Sequence, residues 1–429
     1  MLEKNKLIEV LHMLKAQGND LGTDTLKAVA KDMGLPISVV SGVASFYSDF
    51  NGMSDGSVEL SFAEGGLEGE MFVDDNYALL DLSAEEIMKR IEASGIGGFG
   101  GSGYPMARKW AFTAQQKSDT KYVICNCSEG EGETYKDMKL LIKAPWAVIE
   151  GVLLCAKAVG AGNAIIYVRA EYGEAKSALE KQLEKGVPGD VNVEVFGGAG
   201  AYVCGEETAL LRSLEGLRGE PALKPPYPGE KGLWGYPTVI NNAESFAAAA
   251  AYIRSGKRNK LYTVSGCVKK PGVYEMPYGS TVSELADAAE LDPDICGFRL
   301  GGGASGLMLG MDKLGMPLSF EDCAAAGAAL GTGSVRFFAS EAELWQAAAE
   351  SAEFLASQSC GKCAPCRYGT AELSRLAKKL EQGDATEEEI AAAKKLCDYL
   401  KQNSRCGLGQ SAGNCMGSAL TNFPLGKAT

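Results

Sequence analysis

Apolar residues recur at helical spacing from the start of the chain. Over residues 4–16, Leu7, Val10, Leu11 and Leu14 share one face. A second helix is predicted from Thr23 or Asp24 as N-cap; it turns Leu26, Val29 and Met33 inward and stops at Gly34. A third begins near Ser38 with Val39, Val43 and Phe46 on its apolar side. Together they predict a three-helix unit over residues 1–50. Residues 51–80, rich in Gly and Asp, break the period and read as a linker with short strands. Helical spacing returns from Ser83 to about Ala93, with Ile87 and Ile91 inward.

Beyond residue 120 the pattern alternates between strand and helix. Strands are predicted at 121–125, 164–168 and 191–196. The helices between and after them bury Ala175, Leu179 and Leu183, then Ala209, Leu210, Leu211 and Leu214. Such alternation marks an α/β domain, here residues 51–255. Residues 256–335 change character, with strands at 261–266 and 271–274 and a short helix at 282–289, which suggests a small β-grasp-like domain. Residues 336–429 are helical: Glu341–Ser357, Gly369–Leu380 and Glu387–Lys401. The uncharged tail from Gly407 to Gly426 is full of Gly, Ser, Asn and Gln, so no membrane span is expected.

Charge and composition narrow the function classes. The chain carries 42 basic and 55 acidic residues, a net charge of −13. This balance disfavours non-specific nucleic-acid binding and suits docking to basic partners. The first 15 residues have no apolar core followed by a cleavage site, so no signal peptide is expected. Thirteen cysteines, an odd number and partly in metal-ligand spacing, point to a reducing, cytoplasmic setting rather than a disulfide framework. The single histidine, His12, lies in the first helix, which removes histidine catalysis and histidine-ligated zinc from the centre of the protein.

Three stretches carry candidate chemistry. Cys360-Gly-Lys-Cys363-Ala-Pro-Cys366 brings three thiols within seven residues, and Cys406 supplies a distant fourth. The packed triplet fits a [4Fe–4S] cluster better than the two C-x-x-C pairs usual for four-cysteine zinc. A zinc site and three buried structural thiols stay open as alternatives. The run from Gly95 to Gly103 holds six glycines in nine residues, then Tyr104-Pro-Met-Ala-Arg-Lys109-Trp. Glycine lets backbone amides approach a phosphate or ring, and a helix starting near Pro105 aims its positive end at the loop. The strand ending at Phe196 runs through Gly197-Gly-Ala-Gly-Ala-Tyr202-Val-Cys-Gly205-Glu206-Glu207 into a helix, a βα corner of the ligand-binding kind.

Taken in order, seven segments resemble one family, the NADH-binding flavoprotein subunit of complex I and its soluble hydrogenase and formate-dehydrogenase relatives. They are Gly98–Trp110, Asn126–Asp137, Gly198–Gly219, Lys224–Pro228, Pro237–Glu244, Ser359–Thr370 and Cys406–Gln410. Leu35 to Tyr47 also resembles the helical head of the thioredoxin-like [2Fe–2S] subunit, but no cysteine precedes Cys125, so the cluster half of that subunit is missing. The resemblance implies a Rossmann-like FMN/NADH domain, a β-grasp (SLBB-like) domain and a helical bundle carrying [4Fe–4S], after the helical N-terminal unit. It implies that Gly98, Gly100 and Lys109 lie against FMN, with Asn126, Glu129, Gly205, Glu206, Asn241 and Asn242 completing the pocket. Tyr104 and Phe112 stand where the family stacks aromatics on the dinucleotide. Glu131, Tyr202, Glu207, Lys224 and Tyr227 stand at NADH-contacting positions, and Cys360, Cys363, Cys366 and Cys406 match the cluster ligands.

The implied function is transfer of hydride from NADH to FMN and of single electrons to the cluster. Partners would be a [2Fe–2S] or ferredoxin-like subunit and a terminal oxidoreductase subunit, with no nucleic acid. Orientation suffices for hydride transfer, so no protein acid or base is needed. Two departures stand against this. The family's Arg-Gly-Arg-Gly-Gly is Gly97-Gly-Phe99-Gly-Gly here, and its Asn-Ala-Asp-Glu-Gly is Asn126-Cys-Ser-Glu-Gly130. They support an alternative, a non-catalytic iron–sulfur scaffold with a degenerate flavin site.

Overall fold

The computed structural model describes residues 4–52, 69–74 and 77–424. Its N-terminal stretch folds as α1 (Leu7–Ala16), α2 (Thr23–Met33), α3 (Ile37–Ala44) and the single turn α4 (Ser48–Asn51). Gly34 ends α2 in the left-handed region at φ 62°, where a side chain would be strained. In α3 the expected face is rotated by one position: Val40 is fully buried, whereas Val39 and Phe46 are half-buried. A tandem Val39-Val40 offers either residue to the core, and only the tertiary partner decides. The short strands expected between residues 53 and 68 lie outside the described residues. Beside them, Glu70–Phe72 and Ala78–Asp81 form 3-10 turns rather than strands. Helix α5 (Ala84–Ser94) then starts where Ser83 Oγ accepts the Glu86 amide at 3.2 Å.

The next part is a parallel sheet of β1 (Tyr122–Cys127), β2 (Asn163–Val168), β3 (Asn192–Gly197) and β4 (Thr238–Asn242), in the order β3-β2-β1-β4. Around and between the strands run α6 (Met106–Ala114), α7 (Lys136–Lys143), α8 (Pro145–Val159), α9 (Gly173–Glu184), α10 (Glu207–Leu214) and α11 (Ala243–Ser255). Alternate residues face opposite cores. Val123, Cys125, Cys127, Ile166 and Val239 pack with α5, α6, α8 and α11. Ile124, Ile165, Tyr167 and Ile240 pack with α10 and with the N-terminal helices. The N-terminal unit therefore covers the second face of the sheet, which explains why the inner strands read as continuous apolar runs. Tyr47 anchors it: fully buried, its hydroxyl donates to Leu217 O at 2.7 Å. The amides of Ser48 and Asp49 donate to Gly200 O and Ala199 O at 3.0 and 3.1 Å.

A second, mixed sheet follows, built from β5 (Asn259–Gly266), β6 (Gly272–Pro277), β7 (Gly297–Leu300), β8 (Leu307–Gly310) and β9 (Ser334–Phe338) in the order β6-β5-β9-β7-β8. Its central pair, β5 and β9, is parallel and the other pairs are antiparallel, with α12 (Val282–Ala288) sharing its core. This is the β-grasp arrangement expected. A short helix, α13 (Phe320–Ala325), lies before β9.

The C-terminal bundle comprises α14 (Glu341–Ser357), α15 (Ala364–Gln382), α16 (Glu387–Asn403), α17 (Gly407–Ser411) and α18 (Asn414–Asn422). Helix α15 begins five residues before the expected Gly369. Cys363 is its N-cap and Pro365 lies in its first turn, where a fixed φ and a missing amide cost nothing. The polar tail is helical because its polar groups dock it: Ser418 Oγ accepts the Met308 amide at 2.8 Å, and Asn422 Nδ2 donates to Met308 O at 2.7 Å. No helix among the described residues is long and apolar enough to cross a membrane.

Candidate functional site

The strand order itself marks a crevice. From β1 the chain moves outward to β2 and β3, then returns to the other side of β1 as β4. Ligands of open parallel sheets bind at the carboxyl ends of strands on either side of such a reversal. Here those ends carry Asn126 on β1 and Asn241–Asn242 on β4. The glycine loop lies over them. A Cβ on Gly100 would stand 3.1 Å from Asn242 Cβ, and one on Gly97 only 2.6 Å from Gly103 O. Backbone rather than side chain therefore faces the crevice. The Gly98 amide donates to Tyr104 O at 3.0 Å and closes the loop. Phe99 points away, fully buried between Tyr278 and Phe320, and its amide donates to Ser245 Oγ at 2.9 Å. The loop is thus anchored by packing at the position where the family carries an arginine. Arg108 does not take its place beside a carboxylate; it is exposed and unpaired among the described residues.

Behind the crevice lies a buried ionic cluster that motif reading missed apart from Glu129. Lys136 Nζ sits 2.6 Å from Asp137, 3.0 Å from Glu244 and 3.9 Å from Glu129. Lys260 meets Glu244 at 3.0 Å, and the Leu261 amide donates to the same carboxylate at 2.6 Å. Asn242 Nδ2 donates to Asp137 at 2.5 Å, which ties the crevice wall to this cluster. Burial draws the Lys136 ammonium down, but Asp137, Glu244 and Glu129 outweigh it and hold its pKa above normal. Burial lowers Lys260 to about 8, against the pull of Glu244. Burial, with the Asp137 charge, pushes Glu129 up to about 7. The only local signals were the adjacent Lys136-Asp137 and a lone acid, Glu244, opening an alanine-rich helix.

The glutamates expected in the pocket turn inward. Glu129 accepts the amides of Asp137 and Met138 at 3.1 and 3.2 Å and the Tyr172 hydroxyl at 3.1 Å, capping α7. Glu131 accepts Ser305 N at 2.6 Å, Ala304 N at 3.1 Å and Tyr202 Oη at 2.6 Å, joining the loop after β1 to the second sheet. Asn241 is also set back, accepting Trp110 Nε1 at 3.1 Å. These three hold the walls of the crevice.

At the mouth the charges balance in pairs. Lys109 Nζ contacts Glu207 at 2.9 Å and Ile240 O at 3.0 Å. Lys224 contacts Glu207 at 2.6 Å and Glu206 at 3.0 Å. Burial would raise the Glu207 pKa, but Lys109 and Lys224 overcome it and hold the carboxylate ionised. Glu206 also caps α10, accepting Thr208 N at 2.9 Å and Ala209 N at 3.0 Å. Tyr104, Phe112 and Tyr227 remain 48%, 41% and 53% exposed, large rings left open to solvent beside these charges. A Cβ on Gly229 would press on the Phe112 ring at 2.6 Å, so the Lys224–Gly229 loop lies against α6.

The four predicted cluster cysteines share one neighbourhood. Cys366 lies within electrostatic range of Cys363, Cys406 and Cys360, and Cys406 within range of Cys360. Cys363 and Cys406 are the N-caps of α15 and α17. Burial pushes the Cys366 thiol up to about 11, so the free thiol is neutral and metal ligation would displace its proton. Among the described residues no three His, Cys, Asp or Glu side chains close to the spacing of a single-ion site.

One turn joins crevice and cysteines. Gly205 O accepts Asn126 Nδ2 at 3.0 Å, while the neighbouring Glu206 and Tyr202 both lie within electrostatic range of Cys406. The Tyr202 amide donates to Gln358 at 3.2 Å and its ring stands edge-on to Phe354. The extra thiols behave as small apolar groups: Cys125, Cys127, Cys155 and Cys204 are all buried.

Known families match this chain in three blocks. The Nuo51 FMN-binding domain matches residues 91–251, and the NADH-ubiquinone oxidoreductase-F iron-sulfur binding region residues 346–425. The thioredoxin-like [2Fe-2S] ferredoxin family matches residues 2–66. An NADH-quinone oxidoreductase subunit of Aquifex aeolicus is 37% identical over 80% of this chain and 86% of its own length. The NADP-reducing hydrogenase subunit HndC of Solidesulfovibrio fructosivorans is 33% identical over 80% of this chain and 76% of its own. A chain of an NAD+-reducing [NiFe]-hydrogenase superposes over 99% of this chain and 93% of its own, with a TM-score of 0.88 and 26% identity. The crevice at the strand reversal, the neighbouring cysteines and these matches have one conclusion: the chain belongs to the family of NADH-quinone oxidoreductase subunits that join an FMN-binding domain to a [4Fe–4S] region.

Proposed function

We propose that this chain takes hydride from NADH at FMN held in the β1/β4 crevice, and delivers electrons singly to a cluster on Cys360, Cys363, Cys366 and Cys406. When bound, FMN accepts two electrons together and yields them one at a time, and the cluster carries them singly. The observation that carries this reading is the Tyr202–Glu206 turn, which borders Asn126 of the crevice on one side and Cys406 on the other. Gly98 and Gly100 offer backbone to the flavin. Asn126, Asn242, Gly205 and Lys109 hold its polar edge, while Glu129, Glu131 and Asn241 keep the walls in register. Tyr104, Phe112 and Tyr227 supply the faces on which the dinucleotide stacks, next to Tyr202, Glu206, Glu207 and Lys224. The parts divide as residues 1–50, 51–255, 256–335 and 336–429. The chain works in the cytoplasm, with an iron–sulfur subunit of [2Fe–2S] or ferredoxin type and a terminal oxidoreductase subunit.

Anaerobically purified protein should contain about one FMN and about four irons per chain, with flavin bands over a broad iron–sulfur shoulder. FMN should bind less tightly than where two arginines flank the glycines, because charge-assisted contacts are the strong ones. The shoulder without any flavin uptake would instead support the scaffold reading.

Coenzyme choice follows from the balanced mouth. Two carboxylates offset two ammonium groups there, so an added 2′-phosphate meets no net attraction. Glu207→Gln frees Lys109 and leaves Lys224 paired with Glu206 alone, and should raise the NADPH-to-NADH ratio of kcat/KM roughly 10-fold, about the effect of one relieved like-charge contact. An unchanged ratio in steady-state kinetics would move the discrimination to other residues.

A further inference from the structure

Between β7 and β8 the chain turns through Gly301-Gly-Gly-Ala-Ser305-Gly, a glycine run in the second sheet, away from the parallel strands that form the crevice. The turn is pressed against the loop after β1. A Cβ on Gly303 would stand 2.5 Å from Gly132 O, and one on Gly302, at φ 122°, would overlap Glu131 Cγ. The Gly303 amide donates to Gly132 O at 2.6 Å. This approach delivers three donors to one oxygen: Ala304 N at 3.1 Å, Ser305 N at 2.6 Å and Ser305 Oγ at 2.7 Å all reach Glu131 Oε1. The other oxygen, Oε2, takes the Tyr202 hydroxyl at 2.6 Å. Burial, then the Glu131 charge, hold the pKa of that hydroxyl well above its usual value, so it stays a donor.

The cysteine-bearing bundle grips the same turn from behind. Ser351 Oγ on α14 donates to Ala304 O at 2.6 Å, and Asn414 Nδ2 at the start of α18 donates to Ser305 O at 2.8 Å. The two residues that hold Glu131 are thus each held by the bundle. We propose that Ser305 and Asn414 are positioning residues for NADH: Ser305 locks the Glu131 carboxylate, the carboxylate locks the Tyr202 ring, and Asn414 locks Ser305. The proposal rests on the function above, which sets the dinucleotide beside Tyr202. Neither residue touches coenzyme or flavin. With three donors on Oε1 the buried carboxylate has one orientation, so the ring enters binding already ordered, and no freedom is lost when NADH arrives.

Stopped-flow bleaching of the flavin by NADH in the cofactor-loaded chain separates coenzyme binding from hydride transfer. Ser305→Ala should raise the NADH concentration for half-maximal rate roughly 10-fold and keep the limiting rate within about 2-fold of wild type. Asn414→Ala should shift the same concentration roughly 3-fold in the same direction, at wild-type iron content. Asn422→Ala removes another bundle-to-sheet hydrogen bond, at Met308 O, and should leave it unchanged. Ser305 and Tyr202 meet at one carboxylate, so Ser305→Ala/Tyr202→Phe should fall short of the product of the single effects, which independent lesions would reach. An unchanged concentration in Ser305→Ala overturns the proposal, as do single effects that multiply or an equal shift in Asn422→Ala. Should Ser305→Ala lose its FMN, Asn414→Ala decides, and an unchanged concentration there overturns the proposal. All these outcomes leave the function standing while NADH bleaches the wild-type flavin. A wild type that NADH does not bleach strikes the function itself.

Discussion

Cys363→Ala is expected to abolish electron delivery to any partner while leaving the flavin reaction intact. Cys363 is both the middle thiol of the triplet and the N-cap of α15. A cubane needs four ligands, and losing one prevents assembly or leaves a labile three-iron remnant. The crevice is built from β1, β4 and the glycine loop, with its core on α5, α6, α8 and α11, none of which packs in the cluster bundle. NADH should therefore bleach the flavin in stopped flow at close to the wild-type rate. Reduction of the physiological acceptor should fall at least ~100-fold, because the single-electron outlet is gone. A cluster-free variant that still reduces the acceptor at the wild-type rate would remove the four cysteines from the electron path.

Lys136→Met should be the most destabilising single change away from the cysteines. Lys136 is 1% exposed and contacts Asp137, Glu244 and Glu129, while Lys260 alone remains to face Glu244. Removing one partner of a buried ionic group costs about 3–5 kcal/mol, because the survivors stay desolvated and unpaired. Asn242 is held by Asp137, so FMN content should drop along with the denaturation midpoint. Iron content should hold, since Lys136 and its partners lie outside the core that the bundle shares with Val203, Ala209, Met308 and Phe338. A denaturation midpoint equal to that of the wild type would show that the cluster of charges adds nothing to the fold.

Much of the architecture was legible because it rests on periodicity and punctuation. Leu7, Leu11, Leu26 and Met33, the strands opening the α/β part, the helix start at Ser83 and the stop at Gly34 read directly from the pattern, whereas the N-cap of α2 is Gly22 and not Thr23 or Asp24. The iron–sulfur region was legible because cluster ligands come in fixed spacing. What escaped depends on partners far along the chain. Glu131 is satisfied by Ser305 and Ala304, more than 170 residues away, and Glu133 by Arg299 and Arg336. Glu133 sits at φ 65°, a conformation residues other than glycine seldom adopt, held there by those two arginines. Burial draws its pKa up, and the two guanidinium charges more than reverse that. No local pattern marks such residues as wall rather than lining. Phe99 was similarly opaque. In the sequence it is a lost arginine; in the fold it is an anchor, with Lys260 Nζ 4.8 Å from its ring centre. The N-terminal helices read as a unit by themselves, yet they share one core with Ile124, Tyr167 and Ile240 of the sheet.

The most direct test of the account is an anaerobic titration of the purified, cofactor-loaded chain with NADH, followed by absorbance and by electron paramagnetic resonance. The flavin should bleach and a reduced [4Fe–4S] signal should grow with it, while Cys363→Ala shows the bleaching alone. Wild-type protein with full FMN and iron that neither bleaches nor develops the cluster signal would contradict it.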